Sequence, residues 1–541
     1  MLGLMQDTPL LISSLIEFAA RHHGDAEIVS RRVEGDIHRS DYRRTAARSR
    51  QVANALDRIG LAFSDRVATL AWNGYRHFEL YFGIAGSGRV IHTINPRLAP
   101  EQVAWIANHA EDRVLCFDMT FLPIVKGIWK HCTTVKHWIA LCDAAALPAD
   151  TGIDGLVAYE DWIADESANY DWPQFDEKSA AALCYTSGTT GNPKGALYSH
   201  RSTILHAYAG ALPDALSLSA RDSVLPVVPM FHVNAWGIPY GAAMTGAKLV
   251  FPGAALDGKS VYEMMEAEGV TFSAGVPTVW LGLLTHMKQH GLKLSTMKRT
   301  VIGGSACPPA MIRSFKEDYG VVVLHGWGMT EMSPLGTVCN LKSKQLGLDH
   351  EAQLAVMAKQ GRALFGVEMK IVDPEGQELP WDGLASGDLH VRGPWIIAHY
   401  FKGEGGDPLV DGWFPTGDVA TIDADGFLQI TDRSKDVIKS GGEWISSIDV
   451  ENIAMAHPAV AMAACIAVAH PKWDERPLLV VVKKPGAEVT RDELLAFYDG
   501  KLAKWQVPDD VAFVDAIPLG ATGKMQKIKL RDQFRGYRLP P

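Results

Sequence analysis

The chain has 541 residues, too many for one ordinary hydrophobic core, so two or more domains are expected. Hydrophobic residues make up 47% and charged residues 21%, which is typical of a globular protein and excludes a disordered or fibrous one. The net charge of -10 argues against non-specific binding of nucleic acid, which needs a basic face. It still allows an anionic small molecule held by local positive charge.

The N-terminal segment has the features of neither a signal peptide nor a membrane span. Residues 1–7 carry no basic region, and residues 10–17 are too few and too polar to cross a bilayer, so they predict an amphipathic helix. No later stretch reaches membrane length. The seven cysteines form no C-x-x-C pair, and we expect reduced thiols in a cytoplasmic protein.

Strand and helix patterns alternate through the first part of the chain. Residues 66–72, 90–94 and 114–117 predict strands, and residues 77–85 predict a helix. A further helix begins at Pro100, with apolar residues at 103, 106, 107 and 110. Strands at 248–251 and 299–302 continue the pattern, which predicts parallel sheets covered by helices.

The pattern changes after about residue 432. A predicted helix at 448–456 is followed by strands at 463–468 and 478–482, with a polar stretch between the two strands. This arrangement indicates an antiparallel pair in a smaller α+β domain. The predicted fold is therefore α/β, with a large domain over residues 1–432 and a small one over residues 433–541. Residues 341–360 predict a surface helix or loop.

A short run rich in glycine and hydroxyl residues follows the apolar segment 180–184. The sequence Y-T-S-G-T-T-G-N-P-K-G occupies residues 185–195. Glycines let backbone N–H groups turn toward an anion, and hydroxyl groups and a lysine add donors. Pro193 excludes a Walker A loop, and the preceding strand disfavours a flexible linker. The candidate polyphosphate contacts are Thr186, Ser187, Gly188, Thr189, Thr190, Gly191 and Lys194.

Further motifs follow in the chain: W-G-M-T-E at 327–331, F-P-T-G-D at 414–418, D-R-S-K-D at 432–436 and T-G-K at 522–524. In this order, and with the loop, they resemble the signature motifs of the adenylate-forming enzymes. These include acyl-CoA synthetases, nonribosomal-peptide adenylation domains and firefly luciferase. The resemblance covers nearly the whole chain. It implies an N-terminal domain that binds AMP and the acyl group, and a mobile C-terminal lid that takes part in catalysis.

The implied reaction makes a thioester from an unreactive carboxylate in two steps. ATP first converts the acid to an acyl-adenylate with release of pyrophosphate, and the thiol of coenzyme A then displaces AMP. The first step spreads negative charge over the phosphates, so it needs N–H donors, a cation and a metal ion. The expected ligands are ATP, Mg2+, coenzyme A and a small carboxylic acid.

The resemblance also implies roles in the nucleotide site. The loop holds the β- and γ-phosphates, Thr330 contacts the α-phosphate, and Glu331 holds Mg2+ with Thr186. Asp418 accepts the ribose hydroxyls and Arg433 contacts ribose and phosphate. Trp327 stacks on adenine, where family members usually have tyrosine. The remaining candidates around the nucleotide are Gly304, Ser305, Ala306, His325, Gly326, Gly328 and Met329.

Lys524 matches the family's catalytic lysine, which stabilises charge between the carboxylate and the α-phosphate. The resemblance implies that the small domain then rotates about Lys435. The rotation brings a second set of residues to the pocket for the thiol step: Lys439, Gly441, Gly442, Glu443 and Trp444. By contrast, we expect Lys527 and Arg531 to lie on a solvated basic face.

Residues 228–236 resemble the segment that borders the acyl site. His232 is expected near the carboxylate and the α-phosphate, and the acyl wall is formed by Trp236, Val276, Gly303 and Pro334. A mostly apolar wall favours fatty or thioether acids over amino acids. Residues 226–236, 438–447 and 470–477 resemble bacterial medium- and long-chain fatty-acid CoA ligases and methylmercaptopropionate-CoA ligases, which act after demethylation of dimethylsulfoniopropionate.

We favour 3-methylmercaptopropionate as the acid, with a medium- or long-chain fatty acid as the alternative. Another alternative is an adenylating enzyme that loads a carrier protein, which is disfavoured because no carrier domain follows Pro541. A nucleotide sensor without catalysis is disfavoured by the retained Lys524, Glu331 and Asp418. Nothing favours an oxygenase of the luciferase type. The resemblance implies a homodimer, and no nucleic-acid partner or membrane span is expected.

Overall fold

Four β-sheets organise the chain in the computed structural model, which describes residues 1, 3–186, 192–441, 443–520 and 524–540. Within these residues the strands are β1 Glu27–Arg31, β2 Ile37–Asp41, β3 Arg66–Leu70, β4 Val90–Thr93, β5 Asp112–Phe117, β6 His137–Ala140, β7 Leu156–Ala158, β8 Ala180–Tyr185, β9 Gly195–Ser199, β10 Ser223–Pro226, β11 Lys248–Phe251, β12 Phe272–Gly275, β13 Arg299–Ile302, β14 Val322–Gly328, β15 Leu335–Val338, β16 Arg362–Ala363, β17 Glu368–Val372, β18 Gly387–Arg392, β19 Phe414–Ile422, β20 Leu428–Arg433, β21 Ile438–Ser440, β22 Glu443–Ile445, β23 Val460–His470, β24 Asp474–Lys483 and β25 Asp510–Phe513.

Helices cover the faces of these sheets. They are α1 Ile12–His22, α2 Tyr42–Arg58, α3 Tyr75–Gly86, α4 Pro100–Ala110, α5 Leu122–Ile128, α6 Tyr159–Ala164, α7 His200–Ala211, α8 Ile238–Thr245, α9 Gly258–Ala267, α10 Pro277–His290, α11 Pro309–Tyr319, α12 Ser343–Leu346, α13 His350–Met357, α14 Ser447–Met455, α15 Arg491–Ala496 and α16 Lys527–Gln533. None of the helices in the described ranges is both long and apolar enough to cross a membrane.

Two large sheets are mainly parallel, as the alternating pattern predicts. Their strand orders are β16-β15-β14-β13-β12-β10-β11-β1-β2 and β7-β6-β5-β3-β4-β8-β9. Inner neighbours such as β13 and β14 run parallel, whereas the edge pair β8 and β9 is antiparallel. Strands β8, β13 and β14 each end next to or inside a predicted motif. The sheets therefore deliver those motifs at their strand ends, where open α/β sheets usually bind ligands.

A third sheet was not predicted from the sequence. It is antiparallel, with the order β17-β18-β19-β20, and it lies in the predicted large domain except for its last residue, Arg433. Its importance for the site is its register, because Asp418 on β19 is the direct partner of Arg433 on β20. Two distant motifs of the sequence are thereby held side by side.

The fourth sheet follows in the C-terminal part of the chain. Strands β23 and β24 pair in antiparallel fashion, as predicted, and β21, β22 and β25 extend the sheet. Helix α14 begins after Ser446, whose hydroxyl accepts from the N–H of Asp449. Two apolar clusters here draw only on residues from Ile438 onward. The α/β fold class is confirmed, and the domain boundary between residues 432 and 433 stays a prediction.

Candidate nucleotide and acyl site

The candidate polyphosphate loop is closed at its base by two hydrogen bonds. The N–H of Thr186 donates to the carbonyl oxygen of Lys194 at 2.9 Å, and the N–H of Lys194 donates to Oγ1 of Thr186 at 3.2 Å. This pairing continues the β8–β9 hairpin into the loop. The other predicted contacts, Ser187, Gly188, Thr189, Thr190 and Gly191, lie outside the described residues.

Thr330 and Glu331 form a short turn directly after β14. Both are only 8% exposed, so their polar groups need partners. The hydroxyl of Tyr198, on the strand that leaves the loop, donates to the carbonyl oxygen of Thr330 at 2.6 Å. The hydroxyl of Tyr400 donates to Oε1 of Glu331 at 2.8 Å. Two tyrosines thus hold the predicted phosphate and metal residues in place.

The carboxylate of Asp418 is held from two sides. The indole N–H of Trp327 donates to Oδ2 at 2.9 Å, and Nε of Arg433 lies 2.8 Å from Oδ1. Burial raises the pKa of Asp418, while Arg433, the Trp327 hydrogen bond and Lys524 act in the opposite direction. Three predicted nucleotide residues from separate motifs therefore form one contact group.

The glycines after β13 let the backbone pack closely against β14. A Cβ on Gly303 would lie 2.8 Å from the carbonyl oxygen of Gly326, so no larger residue fits there. Gly304 has φ of +81°, a conformation that glycine adopts without strain. Ser305 is exposed and Ala306 is half-buried. The neighbouring Gly328 packs against the carbonyl of Pro334, which accepts from the N–H of Met329 at 3.0 Å.

The ring of His325 has structural partners on both sides. Its Nε2 accepts from the N–H of Cys307 at 3.2 Å, and its Nδ1 lies 2.8 Å from the carbonyl oxygen of Ala358. Burial lowers its pKa to about 4, so the ring is neutral at pH 7. The carbonyl oxygen of His325 accepts from the N–H of Cys339 at 2.8 Å, so both its side chain and its carbonyl have partners inside the protein.

Lys524 reaches this group from near the C-terminal end of the chain. Burial and the neighbouring Arg433 lower the pKa of Lys524 to about 8, and the carboxylates of Asp418 and Glu331 act against that shift. Burial, with the charges of Lys524 and Arg97, also lowers the pKa of His232 to about 4. A cation, two carboxylates and a neutral imidazole therefore share one electrostatic environment.

The predicted thiol-step residues lie elsewhere, on the β21–β22 hairpin. Lys439, Gly441, Glu443 and Trp444 are exposed, while Gly442 lies outside the described residues. The N–H of Lys439 donates to Glu475 at 2.8 Å, and that of Gly441 donates to the carbonyl oxygen of Trp473 at 2.8 Å. The hairpin is thus held by its own sheet and presents Lys439, Glu443 and Trp444 to solvent.

Lys435 lies on the short link between β20 and β21. Burial lowers its pKa, the nearby Asp436 raises it, and the positive charges of Arg433 and Arg531 lower it further. In the same turn, the hydroxyl of Ser434 donates to Asp388 at 2.7 Å. This link is the position predicted for the hinge.

The acyl-wall residues meet around an unusual backbone turn. Val233, Asn234, Ala235 and Trp236 all have positive φ, between 42° and 58°. Such consecutive left-handed residues are strained, and strain of this kind concentrates at functional sites. The turn places the Trp236 ring 3.3 Å from where a Cβ on Gly303 would be.

Two other predicted wall residues lie close by. Cγ1 of Val276 is 3.2 Å from where a Cβ on Gly304 would be, so it packs beside the same glycine pair. Pro334 follows a cis peptide bond from Ser333, next to Met329 and the turn of Glu331. Trp236, Val276 and Gly303 are therefore neighbours, and Pro334 packs beside Gly328 and Met329. The role of Pro334 in the acyl wall stays a prediction.

The expectation of a solvated basic face at Lys527 and Arg531 was wrong. The side chain of Lys527 is only 10% exposed, and its ammonium lies 2.7 Å from Oε1 of Glu451, which is itself buried. Arg531 pairs with Asp436 at 2.7 Å. Both basic residues pair with carboxylates, which the local sequence did not indicate because each partner lies on a distant segment.

The comparisons with known proteins agree with this geometry. The model of the AMP-binding enzyme family matches residues 16–401, and that of the AMP-binding enzyme C-terminal domain matches residues 449–524. The chain belongs to the AMP-binding enzyme family. The family resemblance stated from the sequence motifs is thereby confirmed.

Relatives within the AMP-binding family are similar over their whole length. The 3-methylmercaptopropionyl-CoA ligase of Ruegeria lacuscaerulensis is 56% identical and is covered to 99%, as is this chain. The medium-chain-fatty-acid–CoA ligase of Ectopseudomonas oleovorans is 52% identical, with 99% of this chain and 98% of that protein covered. The crystal structure of the anthranilate CoA ligase AuaEII with anthranoyl-AMP superimposes with a TM-score of 0.87 at 26% identity, covering 98% of this chain and 99% of that one. These similarities confirm the prediction that the protein is a CoA ligase.

Some residues of this AMP-binding enzyme that contact the site were missed from the sequence. Tyr198, Tyr400 and Arg97 carry no motif that points to a site. Tyr198 lies on the strand that leaves the polyphosphate loop, and that was the one available signal for it. Tyr400 and Arg97 approach the site only through the tertiary fold.

Proposed function

We propose that the protein joins a carboxylic acid to coenzyme A at the expense of ATP. The acid attacks the α-phosphate of ATP, giving an acyl-adenylate and pyrophosphate, and the thiol of coenzyme A then gives the thioester and AMP. One observation carries the proposal: the buried carboxylate of Asp418 is held by Trp327 and Arg433 from two other motifs. The charge of Lys524, from the C-terminal part, acts to lower the pKa of the same carboxylate.

In the first step the chain's own groups would bind and orient ATP. Lys194 and the loop would hold the terminal phosphates, and Thr330 the α-phosphate. Asp418, held by Trp327 and Arg433, would accept the ribose hydroxyls. Lys524 would stabilise the charge that develops between the acid and the α-phosphate, where preorganised cations are most effective.

The donor set fits a magnesium ion that arrives with the nucleotide. Among the described residues there is no cluster of three or more His, Cys, Asp and Glu side chains able to hold a metal alone. The buried carboxylate of Glu331 is linked through Tyr400 to Lys194 at the base of the loop. Mg2+ is commonly bound by one or two carboxylates together with substrate phosphates. Glu331, with the hydroxyl of Thr186, would hold the ion, which supplies charge neutralisation to the phosphates when bound.

For the second step we propose a rotation of the C-terminal part about Lys435. Lys524 has to leave before the thiol can attack, and the link at Lys435 is short enough to concentrate the backbone change. The rotation would exchange Lys524 for the exposed hairpin that carries Lys439, Gly441 and Trp444. Gly441 and its neighbours would then line the path of the pantetheine arm.

The acid we propose is 3-methylmercaptopropionate. Two 3-methylmercaptopropionyl-CoA ligases, from Ruegeria lacuscaerulensis and Ruegeria pomeroyi, are 56% and 55% identical to the chain. The apolar contacts of Trp236 and Val276 suit a thioether acid. A medium-chain fatty acid is the second candidate, because the relative with that name is 52% identical. One methylene changes binding by only about 1–3 kcal/mol, so small differences in the wall decide between the acids.

The test is AMP formation with ATP, Mg2+ and coenzyme A over a panel of acids: 3-methylmercaptopropionate, butyrate, octanoate, palmitate and benzoate. We expect the first to give the highest kcat/KM. Preference for octanoate or palmitate would change the proposed acid and leave the proposed reaction standing. AMP formation that needs a carrier protein instead of coenzyme A, or none at all, would contradict the ligase proposal.

We also propose a cytoplasmic location and a homodimer. All seven cysteines are buried and unpaired, which suits a reducing compartment. The dimer is proposed on family resemblance, and sedimentation or light scattering would test it.

A further inference from the structure

A segment over residues 397–405, here called the strap, runs between the predicted metal residue and the base of the polyphosphate loop. At its start, the N–H of Ile397 donates to the backbone carbonyl of Glu331 at 2.8 Å. At its end, Gly405, with φ of +77°, lies directly against the ammonium group of Lys194, where a Cβ would collide with Nζ. The strap therefore contacts both predicted phosphate-side groups through its backbone.

One side chain of the strap touches both groups at once. The hydroxyl of Tyr400 donates to Oε1 of Glu331 at 2.8 Å, and Nζ of Lys194 lies over the Tyr400 ring, 4.8 Å from its centre. A hydrogen bond to a charged acceptor is among the stronger kinds. A cation over an aromatic face adds attraction at the other side of the ring. Tyr400 therefore connects two groups of opposite charge, the carboxylate of Glu331 and the ammonium of Lys194.

The strap has anchors of its own, which keep Tyr400 in position. Lys402 pairs with Glu111 at 2.6 Å on the outside of the protein. Glu404 lies 3.2 Å from Nε2 of His109, whose Nδ1 is 2.6 Å from the hydroxyl of Tyr185, the last residue of β8. The strap is thus fixed to the strand that enters the loop, independently of Tyr400.

We propose that Tyr400 is a positioning residue that aligns the carboxylate of Glu331 for Mg2+ and the ammonium of Lys194 for the terminal phosphates. The proposal rests on the function proposed above for those two residues. Tyr400 has only one hydroxyl hydrogen to donate and gives it to Oε1. Oε2 accepts no hydrogen bond from the part of the chain that the structure describes, so it remains available to a metal ion.

The two functions of Tyr400 can be separated by substitution. Tyr400→Phe keeps the ring under Lys194 and removes only the hydrogen bond to Glu331. Tyr400→Leu removes both. Lys402→Met is the matched control, because it changes a nearby strap residue and breaks the outward pair with Glu111 and the contact with the Phe401 ring, neither of which involves Tyr400.

The measurement is calorimetric binding of the uncleavable analogue α,β-methylene-ATP, with Mg2+ and with EDTA. The dissociation constant in EDTA divided by that with Mg2+ gives the contribution of the metal ion to binding. We expect Tyr400→Phe to lower this ratio about tenfold, since loss of a group that orients a metal ligand typically costs 10–100-fold in metal affinity. Binding in EDTA should be unchanged in Tyr400→Phe and weakened in Tyr400→Leu. Lys402→Met should match the unmodified protein in both.

The possible outcomes separate the two proposals. An unchanged ratio in Tyr400→Phe, or equal losses with Mg2+ and with EDTA, would overturn the role of Tyr400 and leave the ligase proposal standing. Failure of the unmodified protein to bind the analogue under either condition would overturn the proposed function, and the role of Tyr400 with it. A melting temperature measured for each variant excludes simple unfolding as the cause of a loss.

Discussion

The indole N–H of Trp327 donates to Oδ2 of Asp418 at 2.9 Å, while Arg433 holds the other carboxylate oxygen. Members of the family usually have tyrosine at the position of Trp327. The sequence alone therefore did not show what replaces the polar contact of the tyrosine hydroxyl. The indole supplies a donor in its place. Asp418 is therefore oriented before any nucleotide binds, which reduces the ordering that binding has to impose.

Replacing Trp327 with phenylalanine tests that relationship. The ring face is kept, but Asp418 loses one of its partners, and a hydrogen bond to a charged group contributes about 1.5–3 kcal/mol. We expect KM for ATP to rise about tenfold or more, with little change in KM for the acid. Trp381→Phe, at an exposed tryptophan of the same part of the chain, is the control. An equal rise in both KM values would argue against a specific effect on the ribose site.

Lys524→Ala is expected to separate the two half-reactions. Removing one preorganised group that stabilises developing charge typically costs about 10²–10³ in rate. Adenylation, followed as pyrophosphate release without coenzyme A, should fall by that factor. Thioester formation from preformed acyl-adenylate and coenzyme A should continue at nearly the original rate. If both half-reactions fall equally, Lys524 does not have the role proposed for it.

The pH dependence of adenylation should report the titration of Lys524. Its pKa is lowered to about 8, so the ammonium is present below that pH and is lost as the pH rises through it. We expect kcat/KM for ATP to decline above pH 8, by about tenfold per pH unit, because this parameter reports groups of the free enzyme. Titration of His232, with its pKa lowered to about 4, should add no decline between pH 6 and 8.

The variant Lys524→Arg provides the control for the pH profile. Arginine stays protonated over the whole range, so the decline above pH 8 should disappear even if the rate is lower. Persistence of the same decline in this variant would assign it to another group.

The parts of the fold that follow local patterns could be predicted from the sequence. The strand–helix alternation from β3 to β5 and the antiparallel pair β23–β24 have apolar periods that are visible in short windows. The third sheet was missed, because its strands are separated by irregular segments and the parallel pattern was extended through them. Consequently the direct pairing of Asp418 with Arg433 could not be foreseen from their motifs.

The same division applies to the candidate site. Thr330, Glu331 and Lys524 were identified because the short motifs that contain them resemble those of a known family. Pairings across the fold, such as Tyr400 with Glu331 and Lys527 with Glu451, depend on which distant segments pack together. A lysine pattern gives no sign of a buried carboxylate from another element, so Lys527 was assigned to solvent by default.

Trp236 is expected to control chain length in the acyl site. Its ring packs against Gly303 from a turn of left-handed residues, so its removal opens space without disturbing the nucleotide contacts. We predict that Trp236→Ala shifts the ratio of kcat/KM values for octanoate and 3-methylmercaptopropionate toward octanoate, by about tenfold or more. KM for ATP should change little. An effect confined to KM for ATP would place Trp236 outside the acyl wall.

Gly441 allows a test of the hairpin that complements Lys524→Ala. Its φ is +61°, and a Cβ at this position would lie 2.8 Å from the ring of Trp473, so alanine forces both backbone strain and a displaced ring. Strain of this kind costs roughly 1–3 kcal/mol. We predict that Gly441→Ala slows thioester formation and raises KM for coenzyme A, while pyrophosphate release without coenzyme A stays within about twofold of the original rate.

Gly500→Ala is the matched control, because Gly500 has φ of +73° and a Cβ there would meet nothing within 4 Å. Equal effects of the two substitutions on thioester formation would show that strain alone, and not the position of the hairpin, determines the result.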